Sequence, residues 1–128
     1  MELWKQLVVA WIVFVIVDIP WLALTRKHWQ KIAGGPGEVF PAAILAYVAL
    51  AVAIVLIGIP LGDKYPEHPV LIPGVLIGFA VYFCFDMTNR VIFGSKYPWW
   101  LAIGDTLWGM LATTVTLGVV RKLVLPGQ

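Results

Sequence analysis

Four long apolar runs, each ended by a short stretch rich in proline, glycine or charge, constrain this chain more than any other feature. They cover residues 7–24, 41–60, 71–93 and 99–120. Each is close to the ~20 residues that a helix needs to cross a bilayer. In the second run only Tyr47 carries a polar side-chain atom. Lipid offers no partner to a bare backbone amide, so open runs of this kind are helical. The connections agree. "GGPGEVFP" (Gly34 to Pro41) reads as a flexible link, and "PLGDKYPEHP" (Pro60 to Pro69) as a turn in water. "GSKYP" (Gly94 to Pro98) is short enough to force the last two runs into an antiparallel hairpin. The expected fold is an all-α membrane protein, a single domain over 1–128, built as a four-helix up-down-up-down bundle.

Composition closes off the alternatives. Hydrophobic residues make up 61% and charged residues 12%, where a soluble domain runs near half and a quarter. A core of this size has no room for the surplus, so it faces lipid. The net charge of +2 is spread out, with no basic run to engage nucleic acid. Trp4, Trp29, Trp99, Trp100 and Tyr97 fall near run ends, where amphipathic rings favour the headgroup zone. A cleaved leader is the weaker reading of the first run, which is long and carries Asp18 and Pro20. Four basic residues (Lys5, Lys64, Arg121, Lys122) lie on the side of the termini and five (Arg26, Lys27, Lys31, Lys96, Arg90) on the other. The density just after the first run favours termini outside.

Three aspartates interrupt the oil: Asp18, Asp86 and Asp105. An ionised, unpaired one costs roughly 2.5–3.5 kcal/mol at a helix centre, so such groups face a partner or a wet cavity. At 1.5 Å per residue, Asp18 lies about 4 Å past the middle of its run and Asp86 about 6 Å past; Asp105 comes about 6 Å before the middle of its run. The first and third runs go one way and the fourth returns. All three carboxyls therefore reach one depth, on the side of the first and third connections.

Spacing adds partners. Asn89 and Arg90 stand three and four residues after Asp86, within reach along one helix face, and Tyr82 and Gly78 continue that face. Asp105, Trp108, Gly109 and Ala112 share a face of the fourth run, and Trp21 stands three after Asp18. Pro20 should bend the first helix and free the Ile16 carbonyl toward the cavity. Arg90 can neutralise one acid. For the other two, either a proton or a cation sits among them.

Most other residues read as structure. His28 and His68 lie in connections, far apart, and no span holds a histidine for haem or a lysine for a retinal-type Schiff base. No Ser-His pair, phosphate loop or HExxH occurs, so no cofactor and no metal is expected. Cys84 reads as a packed, inert thiol among aromatics. Trp11, Trp21 and Trp108 are the interior tryptophans.

"DIPWL" (Asp18 to Leu22), "DMTN" (Asp86 to Asn89) and "DTLWG" (Asp105 to Gly109) together resemble the signature of an uncharacterised family. Its members are small, four-span bacterial membrane proteins, catalogued as a domain of unknown function. The resemblance covers nearly the whole chain and implies a helical protein of the bacterial inner membrane, with no established activity. Members often carry a small or apolar residue where Arg90 stands and Tyr where Phe85 stands, which favours Asp86 with Asn89 over the ion pair. "VFVIVDIPW" (Val13 to Trp21) also echoes "VYFCFDMTN" (Val81 to Asn89), as a duplicated hairpin would.

The reading taken forward is a carrier or binder of a small cationic or hydrogen-bonding solute, or of a proton. Asp18, Asp86 and Asp105 form the layer, with Asn89 and Tyr82 beside it. Arg90 holds one carboxylate ionised, and Trp21 and Trp108 supply aromatic walls. The alternatives are an accessory subunit docked on a larger membrane complex and a bundle merely glued by its polar groups. A homodimer is a further expectation. A lipid-acting enzyme using paired acids is disfavoured, because no nucleophile or metal set accompanies them.

Overall fold

In the computed structural model, residues 1–35 and 41–125 are described. Four helices are long and apolar enough to cross a membrane, and no strand occurs among the described residues. The first span is α1 (Leu3–Ala33). The second is composite: α2 (Ala42–Val52), a π-helical stretch (Ala53–Gly58) and α3 (Ile59–Lys64). The third is α4 (Leu71–Phe93), and a 3₁₀ turn (Gly94–Lys96) leads to the fourth, α5 (Trp99–Val124). Most of the link expected at 34–41 lies outside the described residues.

The first helix runs past both expected ends, 7 and 24. An apolar run marks what lipid covers, not where the backbone hydrogen bonds stop. The polar segment after Leu24 keeps α-geometry until Gly34, whose left-handed φ of 81° lets its amide cap the Gln30 carbonyl. The second helix passes its expected end at Pro60. Proline lacks an amide and crowds the carbonyl four residues back. The wider π-turn immediately before it gives the chain a way to continue.

Pro20 also lies inside an unbroken helix. Pro20 and Ile16, which is 60% exposed, both face outward. The Ile16 carbonyl therefore does not serve a cavity, and that expectation is corrected. Cys84 is exposed rather than packed, because it lies on the outer side of α4 while Asp86 turns inward.

Exposure follows helix phase as a membrane requires. In α1 the buried residues are Ala10, Phe14, Asp18 and Thr25, a single stripe at helical spacing. Ile12, Ile16, Ile19 and Leu22 face outward. Such apolar surface is a liability in water and normal against lipid.

The closest seam is between α4 and α5. A side-chain carbon added at Gly78 would collide with the backbone of Gly109 and Met110, and one at Gly74 with Thr114. With no Cβ at these positions the helices approach backbone to backbone, the small-residue device of membrane helix pairs.

Two apolar clusters leave a band between them. One gathers Phe14, Leu50, Ile54, Leu117 and Val120. The other is built from Tyr97, Leu101 and Ala102, with Trp21 and Trp29 packed against it. All three aspartates lie in sequence between these clusters on their helices.

Candidate functional site

Each intramembrane aspartate is buried: Asp18 is 5% exposed, Asp86 0% and Asp105 4%. Their partners cross between helices. Tyr47 Oη donates to Asp18 Oδ2 at 2.6 Å, and Trp108 Nε1 to Asp18 Oδ1 at 3.1 Å. Trp21 Nε1 donates to Asp105 Oδ1 at 2.8 Å. So each indole serves the acid of the other helix, and the two rings stack with centroids 5.9 Å apart and planes 13° apart. Asp86 accepts Tyr97 Oη at 2.5 Å and Thr106 Oγ1 at 2.8 Å. The Asp86 and Asp105 carboxyls lie close to one another.

These contacts join α1, the second span, α4 and α5 into one polar band, as the depth argument required. Burial, and then the bond to Asp86, push the Tyr97 phenol above the usual tyrosine range. It therefore stays a donor. The Asn89 side chain adjoins the Tyr97 hydroxyl, so its link to Asp86 runs through that phenol.

Arg90 does not neutralise an aspartate. Its Nη1 donates to the carbonyls of Gly94 at 3.1 Å and Tyr97 at 2.6 Å, and its guanidinium lies 4.2 Å from the Trp99 ring centroid. A long arginine near a helix end reaches toward the interface more easily than back into the bundle. Arg90 thus braces the turn that carries Tyr97. Among the described residues the salt bridge present is Arg121–Asp63, at 3.1 Å, well away from the band. Also among them, no group of three or more His, Cys, Asp or Glu side chains is arranged to hold a metal.

A cavity of about 640 Å³ opens beside the band. Asp18, Asp105, Tyr47 and Tyr82 are in its lining, with Trp21 and Trp29 as aromatic walls. Of the site residues expected from sequence, Asp18, Trp21, Tyr82 and Asp105 line it. Asp86, Asn89, Arg90 and Trp108 do not. Tyr82 is held by α5, since its ring occupies the space that a side chain at Gly109 would need.

Four partners escaped sequence reasoning: Tyr47, Tyr97, Thr106 and Trp29. Tyr47 had a signal, being the one polar side chain of its run. Tyr97 and Trp29 looked like interfacial aromatics. Yet Tyr97 is fully buried, and Trp29 packs on it at 5.4 Å while donating to Thr25 Oγ1 at 2.9 Å.

Four apolar spans around an inward-facing acidic band define a multi-pass membrane protein. The chain belongs to the family described as predicted membrane protein (DUF2177), which it matches over residues 3–120. No curated protein and no solved structure matches it.

Proposed function

We propose that the band and its cavity bind a small cationic or hydrogen-bond-donating solute, with Asp105 and Asp18 receiving it, in the inner membrane of a bacterium. The observation that carries this reading is a cavity that, among the described residues, has two carboxyls in its lining and no lysine or arginine.

A count of donors sets Asp105 apart from the other two acids. An ionised carboxylate is an acceptor only, with about four lone-pair sites. Asp18 and Asp86 each take two neutral donors from the bundle. Asp105 takes one, from Trp21, and otherwise faces Asp86. Asp86 and Asp105 lie close together, so the band concentrates acidic groups beside the cavity. Asp86 is enclosed and serves the structure. Asp105 lines the cavity with acceptor capacity to spare, and the second acid beside it adds to its attraction for a cation. Trp21 and Tyr82 offer aromatic faces to such a cation. Polar groups used only as adhesive return ~0.6 kcal/mol each on average in membrane bundles, which fits Asp86 with its two donors better than Asp105.

The test is binding of primary-amine probes to the purified protein in lipid nanodiscs, followed by the fluorescence of Trp21 and Trp29 in the cavity wall. Saturable binding should fall at least about tenfold in Asp105→Asn and in Asp18→Asn, a loss of ~1.4 kcal/mol, with helix content unchanged. Absence of saturable binding by any amine, or binding in both variants equal to that of wild type, refutes the proposal. The accessory-subunit alternative predicts a stoichiometric partner after mild extraction and no amine binding.

A further inference from the structure

We infer that the ligand reaches this site sideways, from within the bilayer through the gap between α2 and α4, and is an amphiphilic amine with an apolar tail. The inference rests on the binding role proposed above and adds the route and the ligand class.

Packing is uneven around the cavity. The tightest seam is α4 on α5, and α2 packs on α1, whereas α2 and α4 barely touch. The two sides of the gap differ in size. From α2 come Ala43, Ala46 and Ala49, and from α4 come Val81 and Phe85. Small side chains on one side leave the space that larger ones on the other do not fill. The rim faces lipid: Val81 is 41% exposed and Phe85 49%.

Polarity is equally uneven. Among the described residues, the polar side-chain atoms in the lining belong to Asp18, Tyr47, Tyr82, Asp105 and the two indoles. Tyr47 and the tryptophan nitrogens are already committed, to Asp18, Asp105 and Thr25. The rest of the lining is aliphatic or phenyl. A hydrated ion would shed its water along those walls with nothing to replace it, at a cost of several kcal/mol. An amphiphile already dissolved in the bilayer meets no such barrier, and its tail can stay in lipid while its ammonium reaches Asp105. The dimensions suit it. From Ala43 to Leu50, both in the lining, an α-helix rises about 10 Å. A volume of 640 Å³ lies within the ~300–1,000 Å³ of small-molecule sites.

Ethylamine stays in water and dodecylamine partitions into lipid, so the pair separates the two routes. Both are titrated into wild type, Asp105→Asn and Phe85→Trp in phosphatidylcholine nanodiscs. Expected are saturable dodecylamine binding, weakened at least about tenfold in Asp105→Asn, and no saturable ethylamine signal at millimolar concentration. Phe85→Trp enlarges a rim residue that also packs on Trp29 and should slow dodecylamine binding severalfold by narrowing the gap. It tests the route even if Asp105→Asn does not fold. Tight, Asp105-dependent ethylamine binding would overturn the bilayer route and leave the binding role standing. An unchanged on-rate in Phe85→Trp would also overturn the route. Dodecylamine uptake that is identical in wild type and Asp105→Asn, with no ethylamine binding, would sink both.

Discussion

Removing one hydroxyl, by Tyr97→Phe, tests how the buried band is held. Asp86 is fully buried and has two donors, Tyr97 at 2.5 Å and Thr106 at 2.8 Å. Phenylalanine keeps the ring against Trp29 and the turn braced by Arg90, so the perturbation is close to the loss of one hydrogen bond. A neutral membrane hydrogen bond is worth ~0.6 kcal/mol on average, about a threefold change in the unfolding equilibrium. A bond to an ionised group is worth ~1.5–3 kcal/mol. The bond here is short and fully buried, and its acceptor is a carboxyl. We therefore expect about 1.5 kcal/mol, roughly a tenfold shift. Thr106→Val should cost a similar amount. In an Asp86→Asn background the acceptor changes to an amide that brings its own donors, and the penalty for Tyr97→Phe should shrink by half or more. The assay is reversible unfolding in mixed micelles, followed by tryptophan fluorescence and circular dichroism. A Tyr97→Phe variant within ~0.3 kcal/mol of wild type, with no coupling to Asp86→Asn, would refute the reasoning.

Two further predictions use contrasts within the chain. Gly78→Ala sets a methyl against the α5 backbone and should cost ~1–3 kcal/mol, whereas at Gly118 the nearest added contact is Val70 Cγ1 at 3.4 Å and the same substitution should be nearly silent; thermal unfolding of the pair checks this. Arg90→Leu should lower thermal stability, because the carbonyls of Gly94 and Tyr97 lose their donor, yet leave amine binding within twofold of wild type, since Arg90 is outside the cavity lining; unfolding and probe titration on the same preparation separate the two effects.

The number of spans was legible because lipid imposes a length and an apolarity that no soluble element shares. The common depth of Asp18, Asp86 and Asp105 was legible because rise per residue is fixed. Rotation about each helix axis is not fixed by such counting, and this hid the crossed pairing of Trp21 with Asp105 and Trp108 with Asp18. Arg90 misled because four-residue spacing allows a contact without requiring it, and two loop carbonyls offered the guanidinium an easier position. Tyr97 was hidden by its neighbours, since a tyrosine between Lys96 and Pro98 reads as part of an interfacial belt until the turn folds it inward. The seam of Gly74 and Gly78 was visible as two small residues four apart, but only the structure shows the backbone of α5 lying against it.

The partners of Asp18 have a consequence for how the bundle comes together. Asp86 is satisfied from Tyr97 and Thr106, only 11 and 20 residues away, within the last hairpin. Asp18 waits for Tyr47, 29 residues on, and Trp108, 90 residues on. During biosynthesis its carboxyl emerges first and is matched last. From insertion of the first helix until the fourth docks, this chain carries an acid in oil that lacks at least one of its two donors, a chemical mark of incomplete assembly that only the finished bundle erases.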